Sequence, residues 1–124
     1  MKPGGAQTGL AESFLFALEG ILAAAHGRNF RIQAAIGFVA IVLGVVLRIS
    51  QAEWLVVIAC IALVLGGECF NTAIEDVVDL AVSDFDPRAK RAKDAAAGAV
   101  LVFSAASLVI GIVIFAPRLL SAVV

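Results

Sequence analysis

The sequence predicts an all-α membrane protein, with one amphipathic helix on the membrane surface and three transmembrane helices in a single domain over residues 1–124. Three observations carry this reading. Hydrophobic residues make up 62% of the chain, against roughly 45–50% in a soluble domain. Charged residues fall to 15%, too few to cover the large relative surface of a small soluble protein. Apolar runs at 32–47, 54–67 and 95–117 are separated by segments that hold nearly all of the charge.

The first element is a surface helix over about residues 8–26, beginning near Thr8, with Leu10, Phe14, Leu18, Ile21 and Leu22 on one face. Glu12 and Glu19 argue against a signal peptide, whose apolar region is normally free of acids. The first span covers about residues 32–48, and its uncharged run of about 24 Å is lengthened by snorkelling of Arg31 and Arg48. The second covers about 54–81. Its uncharged part, about 21 Å, can continue past Glu68 if the polar face that follows meets protein rather than lipid. Such short runs also suit buried helices of a soluble bundle, and the composition decides for the membrane. Trp54, next to Glu53, suits an interfacial anchor. The third span covers about 87–117, with Asp86 as N-cap, Pro87 as first helical residue and an apolar stretch of about 34 Å.

Orientation follows from Lys and Arg. Lys2, Arg28 and Arg31 precede the first span, and Arg88, Lys90, Arg91 and Lys93 lie between the second and third. Only Arg48 and Arg118 fall on the other side, so the N-terminus is expected in the cytoplasm and the C-terminus outside. A net charge of −1 gives no general attraction to nucleic acid, and no nucleic-acid partner is expected. Cys60 and Cys69 are nine residues apart in one helix and point to opposite sides, which suits free buried thiols and not a metal or redox pair. His26 is the single histidine and reads as a helix-end residue.

The chemistry concentrates in "GGECFNTAIEDVVDLA", residues 66–81. At 100° per residue, Glu68, Asn71, Glu75 and Asp79 share a stripe about 80° wide, with Thr72 and Asp76 on its shoulders. An ionisable residue at membrane depth costs about 2.5–3.5 kcal/mol even on the lenient insertion scale. Interhelical hydrogen bonding accounts for Asn71 and Thr72 but leaves several carboxylates without bases at the same depth. The alternative is a hydrated site where the carboxylates meet a hard cation such as Mg²⁺ carried with phosphates. Lys93 and Asp94, the last charges before the third apolar run, lie near the depth of Glu75, and a lysine there can hold a phosphate. No P-loop or glycine-rich nucleotide fingerprint occurs, which excludes a soluble-kinase fold. Three thin helices do not enclose such a stripe, so more than one protomer is expected.

"GECFNTAIEDVVDL" (67–80), "AKRAKDAAAGAVL" (89–101) and "RNFRIQAA" (28–35) resemble the small bacterial integral-membrane lipid kinases, the prokaryotic diacylglycerol kinase and undecaprenol kinase family. The resemblance runs from about Phe14 to Pro117. It implies a homotrimeric helical bundle in the bacterial inner membrane, with shared cytoplasmic-side active sites that transfer the ATP γ-phosphate to a membrane-lipid hydroxyl with Mg²⁺. By position, Glu68 resembles the general base beside the lipid hydroxyl, and Asn71 the asparagine supporting it. Glu75 resembles a nucleotide-side magnesium ligand, Lys93 and Asp94 the nucleotide-contacting pair, and Phe30 and Arg31 the segment at the lipid entrance. The family usually carries a metal-binding glutamate three residues before the phenylalanine of "RNFRI", where this chain has Gly27.

"RNFRIQ", "EW" and "KDAAAGAVL" are closer to the undecaprenol kinase branch, which makes undecaprenol the expected substrate and diacylglycerol the alternative. Gly27 also motivates a reading from another class, a catalytically silent homologue with a regulatory or assembly role. An ion carrier built on the acidic stripe would leave the basic start of the third span unexplained.

Overall fold

A computed structural model describes residues 9–123, so the expectations placed on Lys2 and Thr8 lie outside the described residues. Four helices follow in order: α1 (Leu10–Ala25), α2 (Arg28–Val46), α3 (Gln51–Ala81) and α4 (Pro87–Val123). The last three are long and apolar enough to cross a membrane.

The connections show why each helix stops where it does. His26 ends α1, its Nδ1 lying 2.8 Å from the Leu22 carbonyl, and Gly27 turns the chain in an extended conformation into α2. The α2–α3 turn contains no glycine. Arg48 nevertheless takes the left-handed position at φ 50°, and two bonds close the turn around it, Ile49 N to Gly44 O at 3.1 Å and Arg48 N to Val45 O at 3.3 Å. This is the Schellman arrangement, in which the last free carbonyls of a helix are satisfied by the residues that leave it. A capping box then opens α3: Ser50 Oγ accepts from the Glu53 amide, and the Glu53 carboxylate accepts from the Ser50 amide. The second apolar span therefore enters its helix at Gln51, three residues before Trp54. Asp86 caps α4 as its sequence position predicts, its Oδ1 accepting from the Arg88 amide at 2.6 Å. The helix runs on through Pro117, where Arg118 Nη1 donates to the Ile114 carbonyl at 2.9 Å and Ser121 Oγ to the Pro117 carbonyl at 2.8 Å.

Helices α3 and α4 form an antiparallel hairpin tied at both ends by charge. Lys93 pairs with Asp79 near the connecting loop, and Arg118 pairs with Glu53 at 2.8 Å at the far end. The apolar core lies at that far end, where Ile49, Val57, Ile114 and Phe115 pack with Leu43, Leu47 and Trp54. Gly44 is required there, because a Cβ would sit 2.8 Å from the Trp54 ring. At 1.5 Å per residue α3 and α4 reach about 46 and 55 Å, and α2 only about 28 Å. With α2 and α3 joined at the far end, the near end of the hairpin projects beyond the start of α2. The acids of α3 that follow Asn71 and the charged first turns of α4 fall on that projection.

Helix α1 packs near the same end. Ala24 is buried, and Ala17, Gly20 and Ala23 lie across a groove from Cys69, Thr72 and Ala73 of α3. Leu10, Phe14, Leu18 and Leu22 are exposed in the single chain. Cys60 and Cys69 are free thiols, both half-buried.

Two outcomes follow from these turns. A left-handed non-glycine residue carries a steric cost of about 1–2 kcal/mol, so Arg48→Gly is expected to stabilise the protein by about 1 kcal/mol or less after the added chain entropy of glycine. Chemical unfolding in detergent micelles measures it. The Asp86 carboxyl is held below the ordinary aspartate range chiefly by the Arg88 side chain and then by the Arg88 amide. Its contribution to the α4 start is present above the unfolded value of about 3.9 and is lost as pH falls through the lower folded value. A carbon-13 carboxyl titration should place the Asp86 midpoint below 3.9, and Arg88→Ala should move it upward.

Candidate active site

The polar stripe of α3 passes from burial to water along its length. Glu68 is 5% exposed and Asn71 9%, whereas Glu75, Asp76 and Asp79 are exposed. Gly67 lets α4 approach at the buried end: a Cβ there would lie 3.0 Å from the Phe103 ring. Glu68 and Asn71 line a cleft of about 220 Å³ between three helices, facing Asn29, Ile32 and Gln33 of α2 and Ala97, Val100, Leu101 and Ser104 of α4.

Hydrogen bonds fix the orientation of the amides in this cleft. Asn71 Nδ2 donates to Glu75 Oε1 at 2.9 Å, one helical turn on. That leaves Asn71 Oδ1 buried with no hydrogen-bond partner. Buried polar atoms are paired in the great majority of cases, so an acceptor left open beside a buried carboxylate marks a place for a donor. Gln33 Nε2 donates to Ser104 Oγ at 3.0 Å and joins α2 to α4 across the cleft. Thr72, on the shoulder of the stripe, returns its hydroxyl to the Glu68 carbonyl at 3.0 Å and so stays within its own helix.

Of the residues singled out in the sequence, the fold brings Glu68, Asn71 and Glu75 together directly. Lys93 and Asp94 lie beyond the cleft on the projecting hairpin, and they do not pair with each other. Lys93 is held by Asp79 and Asp94 by Lys90. Phe30 is half-buried and Arg31 exposed on α2, and neither lines the cleft. Asn29, Gln33 and Ser104, which the sequence reading did not single out, do line it. Gln33 had a signal, being the one polar side chain between Arg31 and Arg48. Ser104 had little, since a lone serine in an apolar helix is unremarkable until its neighbour is known.

Among the described residues no three His, Cys, Asp or Glu side chains converge as a metal site. The carboxylate available is Glu75, exposed and bonded to Asn71 Nδ2. This fits a Mg²⁺ ion, which is usually held through one or two carboxylates together with substrate phosphates and water. Gly27 stands at the N-cap of α2, where a Cβ would meet the Ala24 carbonyl at 3.1 Å. Gly27 is otherwise exposed in the two-residue link between α1 and α2.

Fold and cleft together define a helical membrane protein with a buried acid and amide in a cleft of mixed polar and apolar walls. The chain belongs to the prokaryotic diacylglycerol kinase family, whose model matches residues 15–115, and it is a lipid kinase, a phosphotransferase with an alcohol acceptor. Undecaprenol kinase of Bacillus subtilis is 42% identical over 109 residues, covering 87% of this chain and 89% of that protein. Diacylglycerol kinase of a Synechocystis species is 39% identical over 117 residues, covering 93% of this chain and 67% of that protein.

The open acceptor on Asn71 has a measurable consequence. Asn71→Leu removes a buried unpaired polar atom, and the protein is expected to gain about 1 kcal/mol of stability in detergent unfolding despite losing the bond to Glu75.

Proposed function

We propose that the protein phosphorylates the hydroxyl of undecaprenol with ATP and Mg²⁺ at the cytoplasmic face of the bacterial plasma membrane. The observation that carries this reading is the buried Glu68 carboxylate, which lines a cleft between three spanning helices together with Asn71. Similarity to the Bacillus subtilis undecaprenol kinase over most of both chains supports the prenol as substrate.

In the proposed reaction the lipid hydroxyl enters the cleft and Glu68 accepts its proton. The lipid oxygen then bonds to the γ-phosphorus as the bond to the bridging oxygen of ADP breaks, and ADP leaves. Phosphoryl transfer needs little from a protein beyond positioning, charge compensation and a group to take the proton. Asn71 accepts a hydrogen bond in the cleft and orients Glu75 through its amide nitrogen. Glu75 is the residue that would hold Mg²⁺, which supplies neutralisation of phosphate charge. Lys93 serves as the point charge for the triphosphate and exchanges Asp79 for it, while Asp94, paired with Lys90, faces the nucleotide from the same helix turn. Phe30 and Arg31 stand at the lipid entrance on the first turn of α2.

The assembly is proposed as a homotrimer in which neighbouring protomers cover the exposed acids of the stripe. Residues 1–124 act as one domain, α1 lies on the membrane surface with Leu10, Phe14 and Leu18 toward lipid, and the C-terminus is outside. Placing diacylglycerol in the cleft is the alternative within the family, supported by the Synechocystis relative.

Glu68→Gln is the direct test. It removes the base while keeping the shape, and kcat is expected to fall about 10²–10⁴-fold with the oligomer intact. Radiolabelled ATP with undecaprenol in micelles provides the assay. A parent protein that transfers no phosphate to either lipid would point instead to the silent homologue that Gly27 suggests.

A further inference from the structure

We propose that Arg48 binds the phosphate of an anionic phospholipid in the leaflet at the far end of the bundle. In the orientation proposed above this is the outer leaflet. Two arginines stand at that end, and the fold treats them differently. Arg118 is neutralised within the chain: its Nη2 donates to Glu53 Oε2 at 2.8 Å and its Nη1 to the Ile114 carbonyl at 2.9 Å. Arg48 is exposed, and among the described residues no carboxylate pairs with it. Glu53 is the one acid between Glu19 and Glu68 in the sequence. Its Oε2 already accepts from the Ser50 amide, the Ser50 hydroxyl and Arg118.

The position of Arg48 is one where phosphate is met. At about 28 Å, α2 is slightly shorter than a hydrocarbon core of about 30 Å. The residue after its last turn therefore falls at the edge of the acyl chains. Val45 and Val46, both exposed, precede it as lipid-facing residues. From there a guanidinium reaches the headgroup layer along its own stem, and phosphate takes two of its N–H groups in parallel.

The turn itself gives no reason for an arginine. The left-handed position that closes such a helix end usually goes to glycine or asparagine. Arg48 holds φ 50° at a steric cost that glycine avoids. A cation placed where a large side chain is disfavoured, without a counter-ion from its own chain, is accounted for by a ligand that the membrane supplies. An anionic headgroup suits it better than a zwitterionic one, whose own cation repels the guanidinium.

The experiment is urea unfolding in nonionic micelles, plain or doped with phosphatidylglycerol or with phosphatidylcholine at the same mole fraction. Arg48→Gln removes the charge and keeps the strain, Arg48→Lys keeps the charge, and Arg48→Gly removes both. In plain micelles Arg48→Gly should be the most stable of the four proteins. Phosphatidylglycerol should raise the folded-to-unfolded ratio about fivefold more in the parent than in Arg48→Gln or Arg48→Gly, with Arg48→Lys keeping most of that gain. The lead of the glycine variant should then disappear, whereas phosphatidylcholine should leave it in place. All other basic residues are common to the four proteins, so the differences report position 48 alone. An equal response of parent and Arg48→Gln to phosphatidylglycerol overturns the inference, as does loss of the response in Arg48→Lys. A penalty for Arg48→Gln of the same size in all three micelles also overturns it, and assigns the side chain to a neighbouring protomer or to the turn.

Discussion

A carboxylate and an amide in a lipid-dwelling helix must be kept away from acyl chains, and most of this architecture answers that constraint. Glu68 and Asn71 would each incur a large penalty against hydrocarbon. Helices α2 and α4 close over them, using Gly67 to bring Phe103 near and Gln33 with Ser104 to bridge the gap. The later acids of the stripe need no such cover from their own chain, because α3 outruns α2 and carries them toward water. One helix thus presents the same face to two surroundings in turn, a buried cleft between helices and an exposed, charged ledge.

The division between rigid and adaptable ends has the same origin. The far end holds the apolar core, the capping box of α3 and the Arg118–Glu53 pair, with Trp54 filling the space that Gly44 leaves. The near end is held by surface ion pairs, Lys93 with Asp79 and Lys90 with Asp94. Exposed pairs of this kind contribute little to stability. Such pairs open at small cost, in contrast to the packed far end. Asn71 shows the complementary choice, a buried oxygen left open where stability alone would favour an apolar side chain.

Gly27 connects the family likeness to local geometry. A glutamate there would have to place its Cβ against the Ala24 carbonyl, in a link of only two residues between α1 and α2. With glycine at that turn, Glu75 is the carboxylate bonded to Asn71.

Periodicity and neighbours within one turn are enough to read the helical membrane class, the stripe on α3 and the cap at Asp86 from the chain. Glu68, Asn71 and Glu75 were legible for that reason: residues three and four apart in a helix share a face whatever surrounds them. Tertiary structure decided what stands opposite. Gln33 and Ser104 are 71 residues apart, and nothing local fixes the rotation or depth at which their helices meet. It also gave Lys93 a partner on the neighbouring helix, Asp79, and it placed a left-handed arginine where no glycine announced a turn. Contacts within a helix follow from the backbone's own repeat, whereas contacts between helices follow from packing summed over the whole bundle.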